Sequence, residues 1–111
     1  MVDTVEWAAG LFEGEGSFFI NKVKSRGRTY YYPCASLKMT DEDIVRRFHE
    51  VVKFGKVWTK DRSKTNRKMA WDWRGHGNDA LTLFKILRPF LGKRRTKTAL
   101  EIFEKLGIEV S

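Results

Sequence analysis

The sequence predicts an α+β fold in the order α-β-β-α-β-β-α-α, with helices on one face of a four-stranded antiparallel sheet. Three observations predict it. Apolar residues alternate between helical spacing near 3.6 and strand spacing of 2 several times along the chain. Two runs rich in Phe, Ile, Val and Tyr meet at an Arg26-Gly27 turn. The 111 residues, 41% of them apolar, suffice for one core. With no linker, low-complexity tract or short-period repeat in view, residues 1–111 read as a single domain.

Each element has a local cause. Asp3 or Thr4 is placed to cap a first helix through Val5, Trp7, Ala8, Leu11 and Phe12, ended by the Gly14 and Gly16 region. Strands follow at 17–25 and 28–39. Thr40 then caps a helix with Glu42 and Asp43 in its first turn, and Ile44, Val45, Phe48, Val51 and Val52 form its apolar face until Gly55 stops it. Strands at 56–62 and 67–74 flank a Ser63–Asn66 turn. Asn78 or Asp79 opens a third helix through Leu81, Phe84, Ile86 and Leu87, whose end Pro89 disturbs. A last helix covers about 94–106, with Leu100, Phe103 and Leu106 inward.

Charge narrows the partner. The chain carries 22 Lys and Arg against 14 Asp and Glu, a net +8. Residues 1–16 hold four acids (Asp3, Glu6, Glu13, Glu15) and no base, so the rest sets 22 bases against ten acids, a net +12. A short acidic element ahead of a basic body is the footprint of a polyanion binder, and the bases are interleaved with aromatics instead of forming a tail. Cys34 is the one cysteine, which excludes an intramolecular disulfide and Cys-based zinc. His49 and His76 lack partners at ligand spacing. No apolar run is long enough to span a bilayer and the start does not resemble a signal peptide, so an intracellular location is expected, in cytoplasm, organelle or phage-infected host.

With helices on one face, the sheet's other face must meet something. Strand parity can be read two ways. The favoured reading turns Phe18, Ile20, Ala35, Leu37, Trp71 and Trp73 inward, leaving Phe19, Asn21, Tyr30, Tyr32, Ser36, Lys38, Trp58, Lys60 and Arg62 outward. Long basic and amide side chains on a curved ribbon suit the edges of bases in a DNA groove.

The most informative stretch is Trp7-Ala8-Ala9-Gly10-Leu11-Phe12-Glu13-Gly14-Glu15-Gly16-Ser17-Phe18. Gly10 and Gly14 lie one turn apart on one helix face, and each interior Gly costs about 1 kcal/mol relative to Ala, so close approach of a second helix is expected to compensate. Glu13 and Glu15 sit where the helix dipole disfavours negative charge by about 0.3–1 kcal/mol each. A hard divalent cation such as Mg²⁺ would reverse that sign.

Residues 8–16 resemble the LAGLIDADG motif, and Gly-Glu-Gly-Ser-Phe is a common ending in that endonuclease family. The element order resembles the family's core over nearly the whole chain, and the Lys93-Arg94-Arg95 cluster after Pro-Phe-Leu adds to the match. The resemblance implies a LAGLIDADG endonuclease-like fold and a metal-dependent, site-specific double-strand DNA endonuclease of the homing type. It implies that Glu15 binds metal beside the scissile phosphate, with a backbone oxygen from Gly14 or its neighbour, and that Ala9, Gly10 and Gly14 are helix-contact positions. Glu13 matches an earlier acidic position, more often a helix-end residue than a ligand. Lys93 or Arg94 resembles the family's basic residue near the site. The polar residue expected at the start of the second helix has no clean match among Lys38, Thr40 and Asp41. One motif implies a homodimer on a long, near-palindromic duplex, with Mg²⁺ as cofactor and Mn²⁺ or Ca²⁺ able to occupy its site, and no membrane or small-molecule partner. The alternatives are a descendant that binds DNA or RNA without cutting, maturase-like or regulatory, and an unrelated basic structural protein.

Overall fold

The computed structural model describes residues 4–60 and 69–110. Helix α1 (Val5–Glu15) leads directly into β1 (Gly16–Ser25) and β2 (Arg28–Met39). Helix α2 (Glu42–Val52), β3 (Lys56–Lys60), β4 (Ala70–His76) and α3 (Asn78–Leu87) follow. A 3-10 turn at Arg88–Phe90 leads to α4 (Lys93–Lys105). The strands form one antiparallel sheet in the order β1-β2-β4-β3, and the helices pack on one face. The expected fold class is the observed one.

Thr4 supplies the first cap, its Oγ1 accepting the Trp7 N–H at 3.1 Å. Arg26 and Gly27 both take positive φ, 51° and 77°, so the two-residue turn twists with the strands it joins. The register pairs Phe18 with Ala35 and Leu37 with Trp73, placing all four on the helix side, where each is buried. Ile20 and Trp71 also face that side but are half-buried. Phe12, Phe48, Trp73, Phe84 and Phe103 form the aromatic centre of the core; Phe12 lies 5.0 Å from Phe18, and Phe48 lies 5.0 Å from Trp73, centroid to centroid. The Trp73 Nε1–H donates to the Phe54 carbonyl at 2.9 Å, which satisfies the one polar atom that this ring buries.

Several local expectations need correcting. Asp41, not Thr40, is the N-cap residue of α2, and no side chain caps that helix. Lys53, not Gly55, is the C-cap residue that ends it, left-handed with φ 72°. Gly55 (φ 84°) instead admits the Trp73 ring beneath it: a Cβ there would lie 2.7 Å from both the Arg74 carbonyl and the Trp73 Cε2. Helix α3 does open at Asn78, as expected, with Gly77 in the N-cap position. Helix α4 buries Ala99 and Phe103; Leu100, half-buried, packs against the core as expected, while Leu106 is only half-buried. Strand β4 runs two residues past the expected end, to His76. Asp3, Arg62, the Ser63–Asn66 turn and the expected strand positions 61–62 and 67–68 lie outside the described residues.

Candidate functional site

Two features converge where α1 enters β1. The first is the end of the helix. Phe12 is buried there, and the Gly16 N–H donates back to its carbonyl. A Cβ at Gly16 would collide with the Phe12 ring, so the helix can pass straight into the strand only with glycine at this position. Glu15 is exposed, on the last turn. Glu13 is turned the other way: its Oε2 lies 3.6 Å from the Arg95 Nε, and its Oε1 lies 2.6 Å from where a Cβ at Gly92 would be. Because Gly92 is the N-cap of α4, the positive end of that helix offsets the acid that α1's own dipole disfavours. Only Glu15 keeps the electrostatic problem raised by the sequence.

Gly10 and Gly14 are exposed, and a Cβ at either would meet nothing within 4 Å. Packing on the chain's own sheet therefore does not account for them. Ala9 is different: it is fully buried in the chain's own core and cannot present a surface to another helix.

The basic cluster divides three ways. Arg95 is 18% exposed and donates to the carbonyls of Glu13, at 2.8 Å, and of Gly16. Arg94 is exposed beside a shallow cavity that it shares with Ser17, Phe18, Arg95 and Thr98, next to the end of α1. Lys93 is also exposed but lines a different groove, with Leu91, Thr96, Lys97, Leu100 and Glu101. The sequence treated the first two positions of the cluster as interchangeable and gave Arg95 no separate role.

The second feature is the open face of the sheet. Cross-strand pairing puts Ser17 with Ser36, Phe19 with Cys34, Asn21 with Tyr32 and Val23 with Tyr30 on the side away from the helices. Lys38 and Trp58 pair with Asp72 on that side, and position 60 pairs with Ala70; the Lys60 side chain lies outside the described residues. Tyr30 and Trp58 are about half exposed, at 50% and 53%. The Asn21 Nδ2 donates to the Tyr32 hydroxyl at 2.7 Å, and the Tyr32 ring meets His76 edge-on.

Arg74, Asp72 and His76 belong to this face and were missed, although the period of 2 from Trp71 and Trp73 already assigned them to it. The Arg74 Nε donates to Asp72 Oδ2 at 2.9 Å while its guanidinium lies 5.8 Å from the Phe19 ring centroid. The face thus carries aromatic, amide and cationic groups together, as nucleic-acid-binding surfaces do.

As a metal site, one chain supplies a partial donor set. Among the described residues no group of three or more His, Cys, Asp or Glu is placed to hold an ion. The exposed Glu15 carboxylate is a hard oxygen donor of the kind Mg²⁺ takes. Arg95 engages the Glu13 and Gly16 carbonyls, so Gly14 and Glu15 carry the backbone oxygens between them that it does not hold. This chemistry fits a divalent cation whose remaining ligands come from elsewhere.

The family model for LAGLIDADG endonucleases matches residues 8–105. The chain belongs to this family. No curated protein sequence is significantly similar to it. Among solved structures, the fold is similar to the homing endonuclease I-CvuI in complex with a DNA target in the presence of Mg (TM-score 0.68, 20% identity), over 93% of this chain and 67% of that one. It is similar to the intron-encoded homing endonuclease I-CeuI complexed with DNA (TM-score 0.70, 15% identity), over 93% and 53%. It is also similar to the LAGLIDADG meganuclease I-CpaMI bound to uncleaved DNA (TM-score 0.73, 14% identity), over 93% and 35%. At such identities the shared property is the fold. No described helix is long and apolar enough to cross a membrane.

Proposed function

We propose that this LAGLIDADG protein is a metal-dependent, site-specific endonuclease that cuts both strands of DNA as an intracellular homodimer on a long, near-palindromic site. One observation carries the reading: Glu15 is exposed at the end of the helix whose Gly10 and Gly14 side stands open, at the head of the aromatic and cationic sheet face. A second copy approaching across Gly10 and Gly14 would bring two Glu15 carboxylates to the two-fold axis and make the outward faces continuous. The related I-CvuI, studied with DNA in Mg and in Ca, supports a hard divalent ion.

In this mechanism Glu15 and the Gly14 backbone oxygen would hold Mg²⁺, or Mn²⁺ or Ca²⁺ in its place. When bound, the ion supplies Lewis-acid charge stabilisation and a lower pKa for the attacking water. Water adds to phosphorus as the bond to the 3′ oxygen breaks; the attacking water gives up a proton to solvent and the departing 3′ oxygen takes one up, leaving a 5′ phosphate and a 3′ hydroxyl. Arg94, in the cavity beside Ser17, offsets the charge growing on the phosphate; Lys93, in the other groove, is the weaker candidate. Phe19, Asn21, Tyr30, Tyr32, Ser36, Lys38 and Trp58, joined by Arg74 and by Lys60 on β3, read the duplex; Arg62, expected among them, lies outside the described residues.

The test is cleavage of a randomised duplex library with Mg²⁺ by the wild type and Glu15→Gln. Cutting at an enriched near-palindrome by the wild type alone is the expected result. Salt-sensitive enrichment of one sequence by both proteins, with no cutting, would replace this reading with a DNA-binding descendant.

A further inference from the structure

Arg95 is the least exposed member of its basic cluster, and its contacts surround Glu15 without including it. One guanidinium nitrogen donates to the carbonyl of Glu13, two residues before Glu15, and another donates to the carbonyl of Gly16, one residue after it. The Nε faces the Glu13 carboxylate at 3.6 Å, and the guanidinium carbon lies 5.9 Å from the Phe12 ring centroid. No loop separates α1 from β1, so the direction of the Glu15 side chain is set by the peptide planes of this junction. Two of the carbonyls that define those planes are held by one planar group.

We propose that Arg95 is a positioning residue for Glu15: a forked clamp that fixes the helix-to-strand junction and so aims the carboxylate. The proposal rests on the nuclease reading of Glu15. It assigns Arg95 a task different from that of Arg94, which faces the solvent side of the same turn. Lysine cannot replace it, because an ammonium carries the charge without the rigid fork that spans two carbonyls and stacks on a ring. A misplacement of the reacting groups by about 1 Å can cost on the order of 100-fold in rate, so loss of aim should appear in the chemical step.

The experiment compares wild type, Arg95→Lys, Arg95→Ala and Glu15→Gln on the duplex that the wild type selects. Affinity is measured in Ca²⁺, and single-turnover cleavage is followed as Mg²⁺ is varied. In parallel, a nitroxide is attached to Glu15→Cys with and without Arg95→Lys; Cys34 is buried and does not compete for the label.

The expected result is affinity within about threefold of wild type, a cleavage rate about 10- to 100-fold lower, a higher Mg²⁺ requirement and a sharper nitroxide spectrum. Arg95→Lys restores melting temperature relative to Arg95→Ala without restoring the rate, which separates aim from stability. Wild-type rate and Mg²⁺ dependence in Arg95→Lys, or an unchanged nitroxide spectrum, would overturn the clamp even though Glu15→Gln is inactive. Lost affinity at an unchanged rate would overturn it too, making Arg95 a phosphate contact. If the wild type does not cut while the label still loosens, the nuclease reading fails and the clamp on residue 15 stands.

Discussion

A methyl group at Gly92 would lie 2.6 Å from Oε1 of Glu13, so the N-cap of α4 sits almost directly on a carboxylate in the last turn of α1. Glu13 cannot easily move aside, because its Oε2 is buried and faces Arg95. Gly92→Ala should therefore cost about 1 kcal/mol, and Gly92→Val more, by the displacement of a wedged charge. If the contact is the cause, Gly92→Ala in a Glu13→Ala background should cost much less than it does alone. Urea denaturation of the four proteins in this cycle checks the coupling, and simple additivity would refute it.

The same corner shows where sequence reasoning succeeded and where it stopped. The hairpin was legible because Arg26-Gly27 fixes the turn and Phe18, Ala35 and Leu37 fix which face is buried. The α2 cap was not: Thr40 has the right chemistry, but the chain turns one residue later, and the acids of the first turn serve instead of a side-chain cap. Arg95 was hidden among three adjacent cations, although counting back in fours from Phe103 through Ala99 places it on the buried face of α4. Centring that face on Leu100 and Leu106 instead of Ala99 concealed it. Ala9 and Gly10 look alike in the sequence, because small residues fit both a core and a contact; burial separates them in the fold.

Two glycines with similar backbones should respond differently to alanine. Gly27 (φ 77°) has open space where a Cβ would go, so Gly27→Ala should cost about 1 kcal/mol, the strain of a left-handed residue. Gly55 (φ 84°) faces the Trp73 ring and the Arg74 carbonyl at 2.7 Å. Gly55→Ala adds overlap to strain and should cost about 3 kcal/mol or more. Equal urea midpoints for the two variants would contradict the packing described for Trp73.

Arg74 should act on sequence preference more than on general affinity. Asp72 and the Phe19 ring hold its guanidinium on the outward face, so little freedom is lost when it meets a base edge. Arg74→Ala should relax discrimination at one base pair in each half-site, by about 1–3 kcal/mol, with little change in the salt dependence of binding. Lys38→Ala, at an exposed position, should instead weaken binding to all sequences and lower the salt slope by about one. Selection of cut or bound sequences at two salt concentrations distinguishes these outcomes; a lowered slope with unrelaxed preference for Arg74→Ala would make that residue a phosphate contact.

Cys34 gives the fold a pH dependence of defined sign. It faces the outward side of the sheet, opposite Phe19 and His76, yet has no exposed surface. Burial pushes its thiol above the ordinary value of 9.0, while Arg74 and a hydrogen bond with Asn21 pull the other way. The folded chain then keeps this proton to higher pH than the unfolded chain does. Its contribution to stability is complete below the unfolded pKa and is lost as pH rises through the folded one. Wild type should therefore lose urea resistance faster than Cys34→Ala as pH is raised above about 9, since every other ionisable group is common to both proteins. At pH 8 the folded thiol should also react with a thiol reagent only as fast as the protein unfolds. Rapid labelling of the native protein, or parallel pH curves for the two variants, would show that Cys34 is open to water on this face.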